Sequence, residues 1–180
     1  MSSVDAGLQS ASEEKDRMLD WVEKQAIENL QFHIQCAEQI KKEATTTLTV
    51  ILAGVGGASA YTVKLFDAHV AHWLMAAALA FALGLLVVAA ILVLRCLHID
   101  NIQAPANEPK NLYLPKYSLQ IVREVELENV QLRIKAAQDR NGAAADRLER
   151  VRVYAVLVPV ISAAVGGMVW AASAFHVAAR

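Results

Sequence analysis

Two histidines three residues apart, His69 and His72, with Asp67 beside them, are the nearest this 180-residue chain comes to a metal-binding spacing. On one face of a helix such a pair can supply two of the four ligands that zinc takes. They lie in a short polar turn between two apolar stretches, where histidine serves equally well as a polar residue at the level of lipid headgroups. We read them that way and expect no metal. His33, His98 and His176 are isolated, and no Ser or Cys nucleophile stands at a recognisable spacing from a base. Gly54-Val-Gly-Gly57 has the glycines of a phosphate-cradling loop, but it is buried in an apolar stretch and no Lys-Ser/Thr follows it. The residues predict neither an enzyme nor a cofactor.

What must position these residues is a set of long apolar segments. Hydrophobic residues make up 56% of the chain, and the charge-free windows are 44–63, 68–94 and 153–179. Between Asp67 and Arg95 there are 27 uncharged residues, and Trp73 to Leu94 is almost unbroken Ala, Leu and Val. At about 1.5 Å per residue that run gives about 33 Å of helix, enough to cross a hydrocarbon core. The connection from Lys64 to His72 is too short to hold a domain, so the first two spans must form an antiparallel hairpin. We therefore expect an all-α membrane protein with three transmembrane helices, two long amphipathic cytosolic helices and an internal helix-span repeat.

The expected order is a disordered tail over 1–9, a cytosolic helix over 10–43, and a first span over 44–64. A second span follows over 72–95, then a proline-rich loop over 96–115, a second cytosolic helix over 116–152, a third span over 153–176 and an external tail over 177–180. Ser10 with Glu13 has capping-box spacing and marks the first helix start. Asn141-Gly142 is read as an end or a kink in the second cytosolic helix. The polar first forty residues contain no cleavable signal peptide, so the first span would direct insertion.

Lys41, Lys42 and Arg95 flank one end of the hairpin, and Arg147, Arg150 and Arg152 crowd the start of the third span, whereas the opposite ends offer Lys64 and Arg180. Positive flanks stay on the cytoplasmic side. This predicts a multi-pass membrane protein with its N-terminus and the 95–152 segment in the cytoplasm and its C-terminus on the outer side. Cys36 and Cys96 would both face the reducing side, as small, half-buried residues rather than a disulfide. A net charge of −1 argues against a nucleic-acid partner.

The cytosolic helices carry apolar stripes, Leu19, Val22, Ile27, Leu30 and Ile34 in one, Leu119, Val122, Leu127, Val130 and Ile134 in the other. They match at an offset of 100: between 19–38 and 119–138 there are seven identities in 20, including Glu28-Asn29-x-Gln31 and Glu128-Asn129-x-Gln131. The spans match at an offset of 110, where 50–57 and 160–167 share six residues of eight. The unit of duplication is thus a helix followed by a span. Neither stripe can be left in water, so they are expected to pack together, within a chain or between chains. The repeated Glu-Asn-x-Gln residues are either register-fixing hydrogen bonders or solvent-facing.

No Asp, Glu, Lys or Arg lies inside any span, so the carboxylates and lysines of ion-coupled transporters are missing. Small residues instead recur four apart: Ala53 and Gly57, Gly54 and Ala58, Ala80 and Gly84, Ser162 and Gly166, Ala163 and Gly167. They let helix backbones approach in lipid, where packing supplies the attraction, and point to a homo-oligomer. Thr45, Thr46, Thr47 and Thr49 either line a polar vestibule or bond back to their own helix. Pro159 deletes one backbone N–H early in the third span and is expected to act as a hinge; Thr49 is its counterpart in the first copy.

A cytosolic helix, a tight two-span hairpin and a second long cytosolic helix, over roughly residues 15–140, resemble the SLATT-type membrane effectors of bacterial anti-phage signalling systems. The resemblance is one of architecture. It implies an oligomeric pore or ion-channel effector, gated by a cytosolic protein or a nucleotide signal, in anti-phage defence. A phage holin-like lysis protein and a non-conducting membrane anchor for a soluble partner are the alternatives.

Overall fold

A computed structural model describes residues 3–68, 70–97 and 107–178 of the chain. His69, His98, the first part of the proline-rich stretch and residues 179–180 lie outside the described residues. The order is α1 (Ser3–Asp67), α2 (His72–Cys96), α3 (Pro109–Leu112) and α4 (Leu119–Ala178), with no strand among the described residues. Three of these helices, α1, α2 and α4, are long and apolar enough to cross a membrane.

α1 starts at Ser3, not at the expected cap Ser10. Once a helix is nucleated, each added residue contributes a hydrogen bond, so a single glycine at position 7 does not stop it. α4 starts at Leu119 rather than just after Pro115. Pro115 instead occupies the second position of a turn closed by the Tyr117 N–H on the Leu114 carbonyl at 3.1 Å. Ser118 then caps the helix, its hydroxyl oxygen accepting from the Ile121 N–H at 3.4 Å. The helix also runs unbroken through Asn141 and Gly142.

The chain divides into two compact units, Met1–Glu38 with Asp100–Gly142, and Gln39–Ile99 with Ala143–Arg180. In the first, α1 and α4 run parallel. Lys15 meets Glu124 at 2.8 Å, Gln120 donates to Asp16 at 2.8 Å, and Arg123 donates to both oxygens of Glu23 at 2.8 Å and also reaches Asp20. Further along, the Asn141 amide, buried, donates to the His33 carbonyl at 2.7 Å. That bond explains why Asn141 is no helix stop: its side chain has a partner across the interface rather than on its own backbone. The buried apolar residues of this unit are Leu19 and Leu30 from α1 and Ile134 and Ala137 from α4.

The second unit is a three-helix packing of α1, α2 and α4. Its core is Ala44 and Ile51 from α1, Leu85, Val88, Ala89 and Leu92 from α2, and Leu148, Val151 and Val158 from α4. α2 runs antiparallel to α4: the site of a Gly166 Cβ lies 2.9 Å from Ala77 Cβ, that of Gly84 lies 2.9 Å from Val158, and the Arg147 guanidinium donates to the Arg95 carbonyl at 3.3 Å. Gly54 allows Leu85 against α1 in the same way, with its Cβ site 2.9 Å from the leucine methyl. At Gly84 and Gly166 a glycine is required because the neighbour already occupies the space of a side chain, whereas at Gly54 the neighbour is the end of a leucine side chain that can turn aside.

Candidate functional site

Of the residues that suggested metal chemistry, His69 lies outside the described residues. Among the described residues no three His, Cys, Asp or Glu side chains could hold a metal ion, and His72 is exposed. Cys36 and Cys96 are free thiols, each half-buried.

The threonines at the start of the first span resolve to back-bonding. Thr45, Thr46, Thr47 and Thr49 donate to the carbonyls of Lys41, Lys42, Glu43 and Thr45 at 2.9, 3.0, 2.8 and 3.0 Å. Their hydroxyl protons are committed to the helix backbone, which leaves the oxygens as acceptors only.

Of the small residues in the spans, six face the packing of the protomer. Gly54, Gly84 and Gly166 sit at helix crossings, Ser162 is buried with its hydroxyl on the Val158 carbonyl at 2.7 Å, and Ala58 and Ala80 are half-buried. Ala53, Gly57, Ala163 and Gly167 are exposed, and a Cβ added at Gly57 or Gly167 would meet nothing within 4 Å. The stripes divide similarly. Leu19, Leu30 and Ile134 are buried, and Val22, Val122, Leu127 and Val130 are half-buried. Ile27, Ile34 and Leu119, expected on the same contact, face outward. Pro159 lies within α4 and is exposed.

The inside of the second unit is therefore filled rather than hollow. Leu92 has no accessible surface, and Ser162 is the only buried polar residue described there.

Polar groups concentrate instead at the charged edge of this unit. Arg152 donates to Glu43 at 2.9 Å, and this guanidinium, helped by the Gln39 amide, holds the Glu43 carboxyl below the ordinary glutamate range. The pair closes one side of an open groove of about 490 Å³ between α1 and α4, whose other charged residue is Lys42 and whose walls are Val50, Ile51, Ala155 and Val156. A second groove, of about 400 Å³ in the first unit, has an apolar floor of Val22, Ala26, Leu127 and Ile134 and a rim that includes Asn29, Glu128 and Gln131. Among the described residues no hydrogen bond joins Glu28, Asn29 or Gln31 to Glu128, Asn129 or Gln131; Asn129 donates within its own helix to Glu126 at 3.5 Å. Register is fixed by other residues, Arg123 with Glu23 and Asn141 with the His33 carbonyl. The first pair had a readable signal, since repeat positions 23 and 123 carry opposite charges. Asn141 had none, because asparagine before glycine reads as a turn. No family model, curated protein or solved structure matches the chain.

Proposed function

We propose that this chain is a multi-pass protein of a bacterial inner membrane whose copies assemble into an ion-conducting pore, opened by a protein or nucleotide signal on the cytosolic side. The observation that carries the reading is the filled three-helix unit, with four small residues left on its outside. A conducting path would then have to form between copies, and helices meeting through Ala53, Gly57, Ala163 and Gly167 can approach closely in lipid. In lipid the burial of leucine supplies little drive, so close approach decides whether subunits associate.

The orientation rests on the basic flanks. Arg95, Arg147 and Arg152 with its partner Glu43 gather at one end of the second unit, the end assigned to the cytoplasm. α1 and α4 each pass from one unit into the other as uninterrupted helices. A change in how the first unit packs is thereby conveyed to the spans. The SLATT-type effectors of anti-phage signalling suit this arrangement, with the third span as a departure from their two-span pattern.

Cysteine labelling or reporter fusions at residues 8, 105 and 180 test the topology, with 8 and 105 inside and 180 outside; a periplasmic signal at 105 contradicts it. Function is read with a membrane-potential dye and growth, with and without the product of the adjacent gene. Depolarisation released by a partner or signal supports the gated effector. Unconditional lysis supports a holin-like protein, and no conductance in any state supports an anchor.

A further inference from the structure

We propose that the groove between α1 and α4 binds one phospholipid from the cytoplasmic leaflet, with the phosphate at Lys42 and the start of an acyl chain along Val50, Ile51 and Val156. The inference rests on the membrane reading above.

Three features define what the groove can take. Its mouth carries Lys42, Glu43 and Arg152, a net charge of plus one. Glu43 is already neutralised by Arg152, and its lowered titration keeps it ionised in that pair. Lys42 has no carboxylate partner among the described residues. Its three N–H groups are free to donate, and Arg152 uses one of its five on Glu43.

Beyond the mouth the lining side chains offer an anion no free hydrogen-bond donor. The hydroxyl protons of Thr46 and Thr47 are committed to the Lys42 and Glu43 carbonyls, and the deeper walls are aliphatic. A free phosphate would leave those walls uncovered, and an uncharged lipid would leave Lys42 unpaired. An anionic head joined to an apolar chain satisfies both ends.

The position fits as well. Lys42 to Val50 spans eight residues, about 12 Å along the helix, the distance from a headgroup phosphate into the acyl region. Its volume, about 490 Å³, lies within the range of about 300–1,000 Å³ of ordinary small-molecule sites.

The test is native mass spectrometry of the full chain released from nanodiscs of phosphatidylglycerol, with phosphatidylcholine, diacylglycerol and soluble glycerol phosphate as competitors. We expect one phosphatidylglycerol retained per chain, displaced by neither diacylglycerol nor glycerol phosphate. Lys42→Gln lowers retention about fivefold, the effect of one basic residue at an anionic surface. Val156→Trp, at an exposed position, fills the groove and abolishes retention, whereas Lys135→Gln, the same charge change in the other unit, leaves it unchanged. Equal loss in Lys42→Gln and Lys135→Gln, retention in Val156→Trp, or displacement by glycerol phosphate overturns the proposal. Alkaline carbonate extraction of the same membranes separates the failures. A chain that stays embedded but shows no Lys42 dependence refutes the lipid site alone, whereas a chain that carbonate releases refutes the membrane reading and this inference with it.

Discussion

Gly56 and Gly166 hold the same place in the two copies of the repeat, yet one faces open space and the other lies against Ala77 and the Trp73 carbonyl. Ile51 is 5% exposed, whereas its counterpart Ile161 is 60% exposed. The same division runs through the stretches 19–38 and 119–138: Leu19 is 8% exposed and Leu119 73%, Ile134 6% and Ile34 36%. In the span the buried series 51, 54, 55, 58 answers to 162, 165, 166, 169, displaced by one residue from the repeat. One residue is about 100° around a helix. Near-identical sequence is thus presented to its surroundings in two different orientations.

Charge explains part of this difference. Two copies packed alike through position 23 would set Glu23 against Glu23 or Arg123 against Arg123. Divergence to Glu in one copy and Arg in the other makes unlike copies pair within the chain and like copies repel. Two helices of similar sequence are thus turned to different faces by a few residues.

The sharpest way to break the comparison is to truncate the same residue in each copy. Leu19→Ala should destabilise the first unit by about 2–3 kcal/mol, since it opens a cavity in a thin layer, and Leu119→Ala by under about 0.5 kcal/mol. Hydrogen exchange over 19–38 and 119–138 in the full chain measures both; equal protection losses would show that the copies are equivalent.

A smaller effect is expected at the glycine pair. Gly166→Ala places a Cβ 2.9 Å from Ala77 Cβ and 3.2 Å from a backbone oxygen, so α2 and α4 must part, at about 1–3 kcal/mol. Gly56→Ala meets nothing and should stabilise its helix by about 0.5–1 kcal/mol. Thermal unfolding in one detergent ranks the two, and the reverse order would contradict the packing.

Charge reversal comes next. Glu23→Arg should weaken the first unit by setting Arg123 against a like charge, and adding Arg123→Glu should recover most of the loss. Hydrogen exchange of the first unit reads the cycle; no recovery in the double variant removes the pairing from the explanation of register.

Those stripes also show how far the sequence was legible. The helices, three of them long and apolar enough to cross a membrane, could be read because charge-free windows and apolar spacing are local properties. Ile27, Ile34 and Leu119 were placed on the contact because each lies on the shoulder of its stripe, and a stripe alone does not say which shoulder a partner will cover. Asn141 failed for a related reason: its turn propensity is local, but its hydrogen bond to the His33 carbonyl depends on a residue 108 positions away.

Two further effects are slight. Because the Glu43 carboxyl is held below its ordinary range, its contact with Arg152 stabilises the fold above that range and is lost as pH falls through the lowered value. Melting followed downward in pH should show the parent losing this increment and Glu43→Gln lacking it; identical profiles would remove the pair. Pro159→Ala restores the N–H that the Ala155 carbonyl lacks. It should shift the threshold of the proposed pore with oligomer mass unchanged, and an unaltered threshold would make Pro159 a packing residue.

The claim on which the rest depends is that function belongs to several copies, because the three-helix core of one chain is filled with apolar side chains among the described residues. Subunit mass in native nanodiscs drawn directly from expressing cells tests it. The account predicts a multimer that Gly57→Leu or Gly167→Leu reduces to monomer while the protomer stays folded, since neither glycine has a neighbour within 4 Å of an added Cβ. A parent chain that is monomeric at every protein density would contradict it.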